Sequence, residues 1–196
     1  MTRPLLSLAV TLLVTAAASA QDRDYIQALE RAQRERPATV PSRSRIAPET
    51  EPGTPLVVHG RLFDTDAAAP VAGAVVFAYQ TDREGLYNAA GSPAHAWRLR
   101  GWAATDAQGR FEFLTIRPGA YPGRQIPSHV HFTVFLSSGE RYHAGELQFE
   151  DDRLLPESDR ERSRAQGSFG SVRPVKTEGD TQHVSFQIRL DARQKF

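Results

Sequence analysis

The stretch GWAATDAQGRFEFLTI, residues 101–116, decides the fold class of this 196-residue chain. Its two ends are rich in apolar and β-forming residues, and the second half alternates apolar and polar side chains with the period of two typical of a β-strand. Between them, Asp106 to Gly109 carries the residues typical of a tight turn between antiparallel strands. The stretch therefore predicts a β-hairpin.

Similar β-rich runs lie on both sides of this hairpin and bring the number of predicted strands to at least six. They are residues 56–63, 73–79, 129–136 and 183–190. No helical pattern alternates with them, which favours an antiparallel arrangement over an α/β sheet. We therefore predict an all-β fold, an antiparallel β-sandwich of prealbumin or Ig-like type over residues 56–196. The charged stretch 150–180 is predicted to be a solvated loop that can include one helical turn.

The region before the sandwich, residues 21–55, is predicted to form an N-terminal helical arm and a Pro-rich linker. Asp24 to Arg36 has the pattern of a short helix that Asp24 caps and Pro37 ends. Its apolar face is narrow, so the arm is expected to pack on the sandwich or on a second subunit. A homo-oligomer is therefore one of the possible arrangements. Five prolines between positions 37 and 55 favour an extended strap.

The first 20 residues are predicted to be a cleavable signal peptide. Arg3 precedes an apolar run over residues 5–18, and Ala18-Ser19-Ala20 is a small-residue cleavage site, with the cut after Ala20. The apolar run is too short for a comfortable membrane span. We therefore expect a periplasmic or secreted protein with no membrane span.

The charge balance limits the partners of the mature chain. Loss of Arg3 with the signal leaves 23 basic and 23 acidic residues, which gives no reason to expect nucleic acid or an anionic membrane surface. Cysteine is absent, so a metal site would have to use histidine, tyrosine or carboxylate ligands.

His129-Val130-His131 lies in a predicted strand, where alternate side chains share a face. The two imidazoles would stand about 6.6 Å apart at Cβ and could converge on one ion. A His-x-His pair alone is not specific, because surface or packed histidines give the same pattern.

Two tyrosines near this pair lie in loops that suit a preorganised site. Tyr121 stands between prolines and glycines in residues 118–123, and Tyr87 follows the strand that ends near residue 79. Tyr121 could instead simply cover the edge of the sandwich. Taken together, Tyr87, Tyr121, His129 and His131 predict a mononuclear metal site.

Several motifs, in this order along the chain, resemble the intradiol ring-cleavage dioxygenases of the protocatechuate and catechol dioxygenase group. The blocks cover roughly residues 57–152 and are Gly60-Arg61-Leu62-Phe63-Asp64, Pro70-Val71-Ala72-Gly73-Ala74, Gln80-x-Asp82-x-x-Gly85-x-Tyr87, Arg100-Gly101, Thr105-Asp106-x-x-Gly109, Pro118-Gly119-x-Tyr121-Pro122 and His129-x-His131-Phe132. The first blocks also occur in transthyretin-like modules, but the whole series with two tyrosines and His-x-His is specific.

The resemblance implies a non-haem Fe(III) cofactor held by two tyrosinates and two histidines. Tyr87 and His129 would be the equatorial ligands, and Tyr121 and His131 the axial ones. The implied partners are a small aromatic diol of catechol type and O2, with a cis,cis-muconate-type product. Tyr121 would leave the metal and accept a substrate proton. Phenolate is a hard donor suited to ferric iron, whereas a zinc or copper site would not need the tyrosines.

Two positions depart from the family pattern. Ile126 stands where the family often has a substrate-binding arginine, so Arg124 is predicted as its catalytic replacement. Glu146 stands where glutamine is usual, and a carboxylate there would disfavour a carboxylated substrate. Two alternatives to the enzyme stay open: a non-catalytic prealbumin-like binding or cell-envelope module, and a histidine-based zinc or copper protein.

Overall fold

The computed structural model describes residues 23–92 and 95–196, so the predicted signal peptide and its cleavage after Ala20 lie outside the described residues. The chain divides into two compact units. One comprises Met1–Pro37 with Gly91–Ala96, and the other comprises Ala38–Ala90 with Trp97–Phe196.

The described part of the first unit contains one helix, α1, over residues 23–34. Asp24 lies inside this helix and not at its predicted N-cap. The Arg31 guanidinium donates a hydrogen bond to the His95 carbonyl oxygen at 3.1 Å, and the Tyr25 ring meets the His95 ring edge-on. The buried face consists of three apolar residues, Ala28, Leu29 and Ala32. Neither α1 nor any other helix within the described residues has the length and apolarity to cross a membrane.

The second unit is built from ten strands and one short α-helix. The strands are β1 (Arg43–Arg45), β2 (Pro55–Phe63), β3 (Val75–Gln80), β4 (Leu99–Ala104), β5 (Arg110–Ile116), β6 (His129–Phe135), β7 (Arg141–Phe149), β8 (Val172–Arg173), β9 (Val175–Glu178) and β10 (Thr181–Arg189), and α2 (Glu157–Ala165) follows β7. They form two five-stranded sheets with the orders β1-β5-β2-β10-β9 and β4-β3-β6-β7-β8. The hairpin predicted over residues 101–116 is instead split between the two sheets, with β4 in one and β5 in the other.

The mostly β character is confirmed, but the predicted antiparallel, prealbumin or Ig-like sandwich needs correction because both sheets are mixed. β1 runs parallel to β5, β2 to β10 and β7 to β8. Alternating side chains reveal a strand but not the direction of its partner. Parallel neighbours need a long crossover. The stretch predicted as a solvated loop supplies the crossover between β7 and β8 with α2, and it also contains β8 and β9.

Both sheets contribute side chains to a single apolar cluster. Phe132 of β6 contacts three rings from the other sheet, those of Phe111, Phe113 and Phe186. Gly60 makes room for this packing, since a Cβ there would lie 2.0 Å from the Phe111 ring. Each buried phenylalanine contributes about 2–3 kcal/mol through removal of apolar surface from water.

The alternation along β6 decides where its histidines lie. Val130, Phe132 and Val134 belong to the core cluster. Because neighbouring strand residues point to opposite faces, His129 and His131 lie on the outer face of this sheet. The same face carries Tyr79, which pairs with His131 in the β3–β6 register.

Candidate metal centre

Four side-chain atoms converge on the outer face of β6 and form what we call the donor ring. Nε2 of His129 lies 3.0 Å from Nε2 of His131. The Tyr87 hydroxyl lies 2.8 Å from the latter nitrogen, and the Tyr121 hydroxyl lies 3.0 Å from the former. The two tyrosine hydroxyls share a hydrogen bond that closes the ring. The structure thus brings together all four residues that the sequence predicts as metal ligands.

Both histidines turn the same nitrogen toward the ring because the other nitrogen has a partner. His129 Nδ1 lies 2.7 Å from the carbonyl oxygen of Pro127, and His131 Nδ1 lies 3.2 Å from a carboxylate oxygen of Glu146. An acceptor at Nδ1 favours the tautomer with its proton there, which leaves the Nε2 lone pair for a metal.

Burial also keeps His131 in the form that binds metals. Loss of water contact, followed by repulsion from His129 and His143, holds the pKa of His131 well below its usual value. A histidine with a lowered pKa is neutral at pH 7, and only the neutral ring offers a lone pair.

Two glycines bring the tyrosine loops into backbone contact. A Cβ at Gly85, where φ is +83°, would lie 1.9 Å from the Ala120 carbonyl oxygen, and a Cβ at Gly119 would lie 2.4 Å from the Arg83 carbonyl oxygen. Only glycine permits this approach at either position. Each tyrosine follows its glycine by two residues, so the same contact sets the separation of Tyr87 and Tyr121.

Asp82 and Arg98 hold the first of these loops. One Asp82 carboxylate oxygen accepts two backbone N–H groups of its own loop at 3.0 and 2.9 Å. The Arg98 guanidinium donates to Asp82 at 3.2 Å and to Glu51 at 2.6 Å, and its hydrogen bond lowers the pKa of Glu51. The Arg98 backbone N–H donates to the Tyr87 carbonyl oxygen at 3.0 Å, which ties the ligand loop to β4.

An aromatic stack supports the plane of His131. Tyr79 lies against the His131 ring with centroids 4.5 Å apart and planes inclined by 16°. The Trp97 ring stacks on Tyr79 at 4.1 Å. The site predicted from the sequence includes neither Tyr79 nor Trp97. The available signal was the position of Tyr79 at the end of a β-run before the Tyr87 loop.

Asp152 fixes the start of β6. One of its carboxylate oxygens accepts the Ser128 backbone N–H at 2.8 Å and the Ser128 hydroxyl at 2.6 Å. Burial alone would raise the pKa of Asp152, but the Ser128 hydrogen bonds and one from the Leu154 backbone outweigh it and lower the pKa. Ser128 precedes His129, so this contact sets where the first histidine enters the ring.

The donor set fits a ferric ion. It offers two phenol oxygens and two imidazole nitrogens, and an anionic phenolate is the hard donor that Fe(III) prefers. Burial raises the pKa of Tyr121 above its ordinary value of 10, with a further rise caused by Glu146. A cation inside the ring would reverse this rise.

A second grouping, His129 with His131 and Glu146, also places possible ligand atoms within 4.8 Å of one another. The Glu146 contact, however, is with Nδ1 of His131, the nitrogen turned away from the ring. Its carboxylate therefore supports the histidine and does not close the ring.

Arg124 lies beside the ring but is exposed. Its backbone N–H donates to the Tyr121 carbonyl oxygen at 3.1 Å, and its positive charge acts to lower the pKa of Tyr121. Its predicted catalytic role stays a prediction. Ile126, at the position where the family often has arginine, is partly buried.

The protein thus has two mixed β-sheets and a candidate mononuclear metal centre of two imidazoles and two phenols. The sequence model of the family described as "Dioxygenase" matches residues 32–192. The chain belongs to the intradiol ring-cleavage dioxygenase family.

Two curated relatives are similar to this chain. The protocatechuate 3,4-dioxygenase beta chain of Burkholderia cepacia is 31% identical over 160 residues, 72% of this chain and 66% of that protein. Catechol 1,2-dioxygenase 1 of Acinetobacter lwoffii is 33% identical over 133 residues, 58% of this chain and 42% of the relative. The matches thus span between two fifths and two thirds of these relatives.

Solved structures share the fold. The dioxygenase domain of a dioxygenase–carbohydrate-binding protein fusion from Streptomyces sp. SirexAA-E has a TM-score of 0.57 at 27% identity, over 79% of this chain and 91% of that one. An intradiol ring-cleavage dioxygenase from Tetranychus urticae has a TM-score of 0.59 at 24% identity, over 79% of this chain and 89% of the other, and supports the fold alone.

Proposed function

We propose that this chain is an exported non-haem Fe(III) intradiol dioxygenase that cleaves a catechol-type aromatic diol with O2 to a cis,cis-muconate-type product. The observation that carries the proposal is the donor ring of Tyr87, Tyr121, His129 and His131, whose neighbouring atoms lie 2.8–3.0 Å apart along the three edges that involve histidine. A bound ferric ion would supply Lewis acidity toward the two diol oxygens and activate the aromatic ring toward O2.

The residues of the ring divide the remaining work between them. His129 and His131 stand on a strand and have supported rings, so they act as fixed ligands. Tyr121 lies on the loop between β5 and β6 and has hydrogen-bond partners on both sides, Tyr87 and His129. We assign to its phenolic oxygen the proton that a substrate hydroxyl loses, because the two partners keep that oxygen in reach with or without the proton.

The charges beside the ring favour a diol without a carboxylate. Glu146 places a negative charge behind His131, and Ile126 contributes none. Arg124, three residues after Tyr121, is the cationic side chain that we assign to the developing charge of the substrate. An aromatic carboxylate would meet repulsion from Glu146, so catechol or a hydroxyquinol should be preferred over protocatechuate.

Export is the second part of the proposal and rests on the N-terminal sequence. Residues 1–20 combine Arg3, an apolar run and the Ala18-Ser19-Ala20 cleavage site. Expression of the whole chain in a Gram-negative host should give a periplasmic protein that begins at Gln21. Recovery of the intact N-terminus from the cytoplasm would contradict export but leave the enzyme proposal standing.

Iron-loaded protein should be tested with catechol, hydroxyquinol and protocatechuate, with O2 uptake and product mass as readouts. The expected product has the mass of the diol plus both atoms of O2, and protocatechuate should be the poorest substrate. Tyr142→Phe, a change in a buried tyrosine of the core, is the matched control for Tyr121→Phe. An iron-loaded, coloured protein that consumes no O2 with any diol would contradict the enzyme and favour a binding module.

A further inference from the structure

We propose that Glu146 is a positioning residue of the metal centre, whose carboxylate fixes the tautomer of His131 and strengthens it as a donor. The proposal rests on the proposed function. Its starting observation is the 3.2 Å distance between His131 Nδ1 and Glu146 Oε1. This contact leaves Nε2 of His131 directed toward the donor ring, 3.0 Å from Nε2 of His129.

The two histidines of the ring have unequal supports. His129 Nδ1 donates to a neutral peptide carbonyl, that of Pro127, at 2.7 Å. His131 Nδ1 faces an anionic carboxylate. The carboxylate draws the shared proton more strongly than a carbonyl does, and this increases the negative charge on the imidazole of His131. His131 should therefore be the stronger imidazole donor of the two.

The strand register holds Glu146 in this position. Glu146 of β7 stands directly opposite His131 of β6, and the register shifts only between His131 and Thr133. Side chains directly opposite in an antiparallel pair lie about 4.5–5.5 Å apart at Cβ, which suits a contact between a carboxylate and an imidazole. Since Tyr79 stacks on the face of the same imidazole, His131 is supported both on its face and at Nδ1.

The surroundings of Glu146 allow it to remain outside the ring. Its side chain is 38% exposed. It borders a polar cavity of about 390 Å³ whose lining includes Gln148, Asp159, Arg162 and Ser171. The carboxylate thus has polar neighbours and contact with water in addition to its contact with His131.

Two substitutions separate the charge of Glu146 from its hydrogen bond. Glu146→Gln keeps an oxygen acceptor but removes the charge, and Glu146→Leu removes both. Glu150→Gln makes the same charge change at an exposed position one residue after β7 and serves as control.

Each protein is loaded with one equivalent of Fe(III). The readouts are iron affinity against a competing chelator, the energy of the visible tyrosinate-to-iron band, the Fe(III)/Fe(II) potential and the melting temperature of the iron-free form.

We expect Glu146→Leu to bind iron about 10-fold to 100-fold more weakly than the parent. Glu146→Gln should recover most of that affinity but show a more positive potential and a red-shifted band, because a weaker imidazole donor leaves the iron more electron-poor. Iron-free melting temperatures should stay close to the parent value. Glu150→Gln should match the parent in every readout.

The inference would be overturned if both Glu146 variants matched the parent protein in iron affinity, visible band and potential. The proposed function would then still stand if the parent protein was coloured and active. A change confined to melting temperature would also overturn it, since that result indicates a purely structural role. A parent protein that binds no iron and shows no colour contradicts the proposed function itself, before any variant is measured.

Discussion

The two sheets each carry a pair of histidines in contact on their outer faces, and the pairs have different chemistry. In the donor ring, the facing nitrogens of His129 and His131 are 3.0 Å apart. On the other sheet, His59 Nε2 lies 3.1 Å from His183 Nδ1. The separation of two imidazole nitrogens therefore does not distinguish a metal site from a surface contact.

The partners of the remaining nitrogens make the difference. His59 lies in a cross-strand row, with its Nδ1 3.0 Å from Glu112, whose other carboxylate oxygen pairs with Arg43 at 2.8 Å. The rings of His59 and His183 are almost parallel. His59 Nε2 and His183 Nδ1 share one hydrogen bond, which uses both nitrogens. In the donor ring both Nδ1 atoms have outside acceptors, and each Nε2 atom faces a tyrosine oxygen in addition to the other Nε2 atom.

Removal of one histidine from each pair should give the largest contrast. His131→Ala deletes a donor from the ring, so iron binding should weaken by more than the roughly 100-fold typical of supporting residues, and the visible band should vanish. His183→Ala should retain full iron content and colour. Chelator competition and absorption spectra of the two variants measure the contrast. Equal loss of iron binding and of the visible band in both variants would contradict the different roles assigned to the two histidine pairs.

Tyr121→Phe tests what the tyrosines add to the histidine pair. We expect iron binding to weaken, and the charge-transfer band of the iron that binds, now from Tyr87 alone, to be less intense. Turnover of catechol should fall by about 100-fold or more, because the proton acceptor is lost. Steady-state O2 uptake and the iron content of the same sample provide the measurement. Unchanged turnover would remove Tyr121 from the proposed chemistry.

Gly119→Ala tests whether the backbone contact between the tyrosine loops sets the ring. The added methyl would lie 2.4 Å from the Arg83 carbonyl oxygen, so one loop must move. We expect a loss of about 1–3 kcal/mol in unfolding free energy, together with weaker iron binding. Gly123→Ala is the control: it has open space but a φ of +71°, and should cost only about 1 kcal/mol. Denaturant titrations with and without iron compare the two.

Asp152→Asn should have the smallest effect, since it alters only the hydrogen bonds at the entry to β6. We expect a loss of about 1 kcal/mol near neutral pH. The folded state lowers the pKa of Asp152 from 3.8, so its stabilising contribution is present above that pH and is lost as the pH falls through the lowered value. The stability difference between parent and variant should therefore start to shrink near pH 3.8 and vanish only below the lowered pKa of Asp152. A difference that persists in acid would contradict this assignment.

The donor residues could be predicted from the sequence because their spacing and neighbouring glycines are local features. His129 and His131 are two apart on a strand, and Tyr87 and Tyr121 each follow a glycine by two residues. Their supports could not be predicted, because Glu146 and Tyr79 reach His131 through pairing between strands that are distant in sequence.

The fold shows the same limit. Period two reveals strands such as β2 and β5, but β1, with three residues, and β8, with two, are too short to produce a pattern. The parallel pairing of β7 with β8 depends on a crossover that passes through a charged stretch containing α2, where propensity alone indicates a loop. Strand direction is thus a property of the tertiary fold and not of the local sequence.

The donor ring is best tested as a metal centre by titration of the metal-free protein with Fe(III), followed by visible absorption. Two tyrosine donors should produce a tyrosinate-to-iron band that reaches its maximum at one equivalent of iron. His59→Ala should give the same band as the parent, and His131→Ala should give none. A colourless parent protein, or a band that depends on His59 and survives loss of His131, would contradict the assignment of the donor ring as the metal centre.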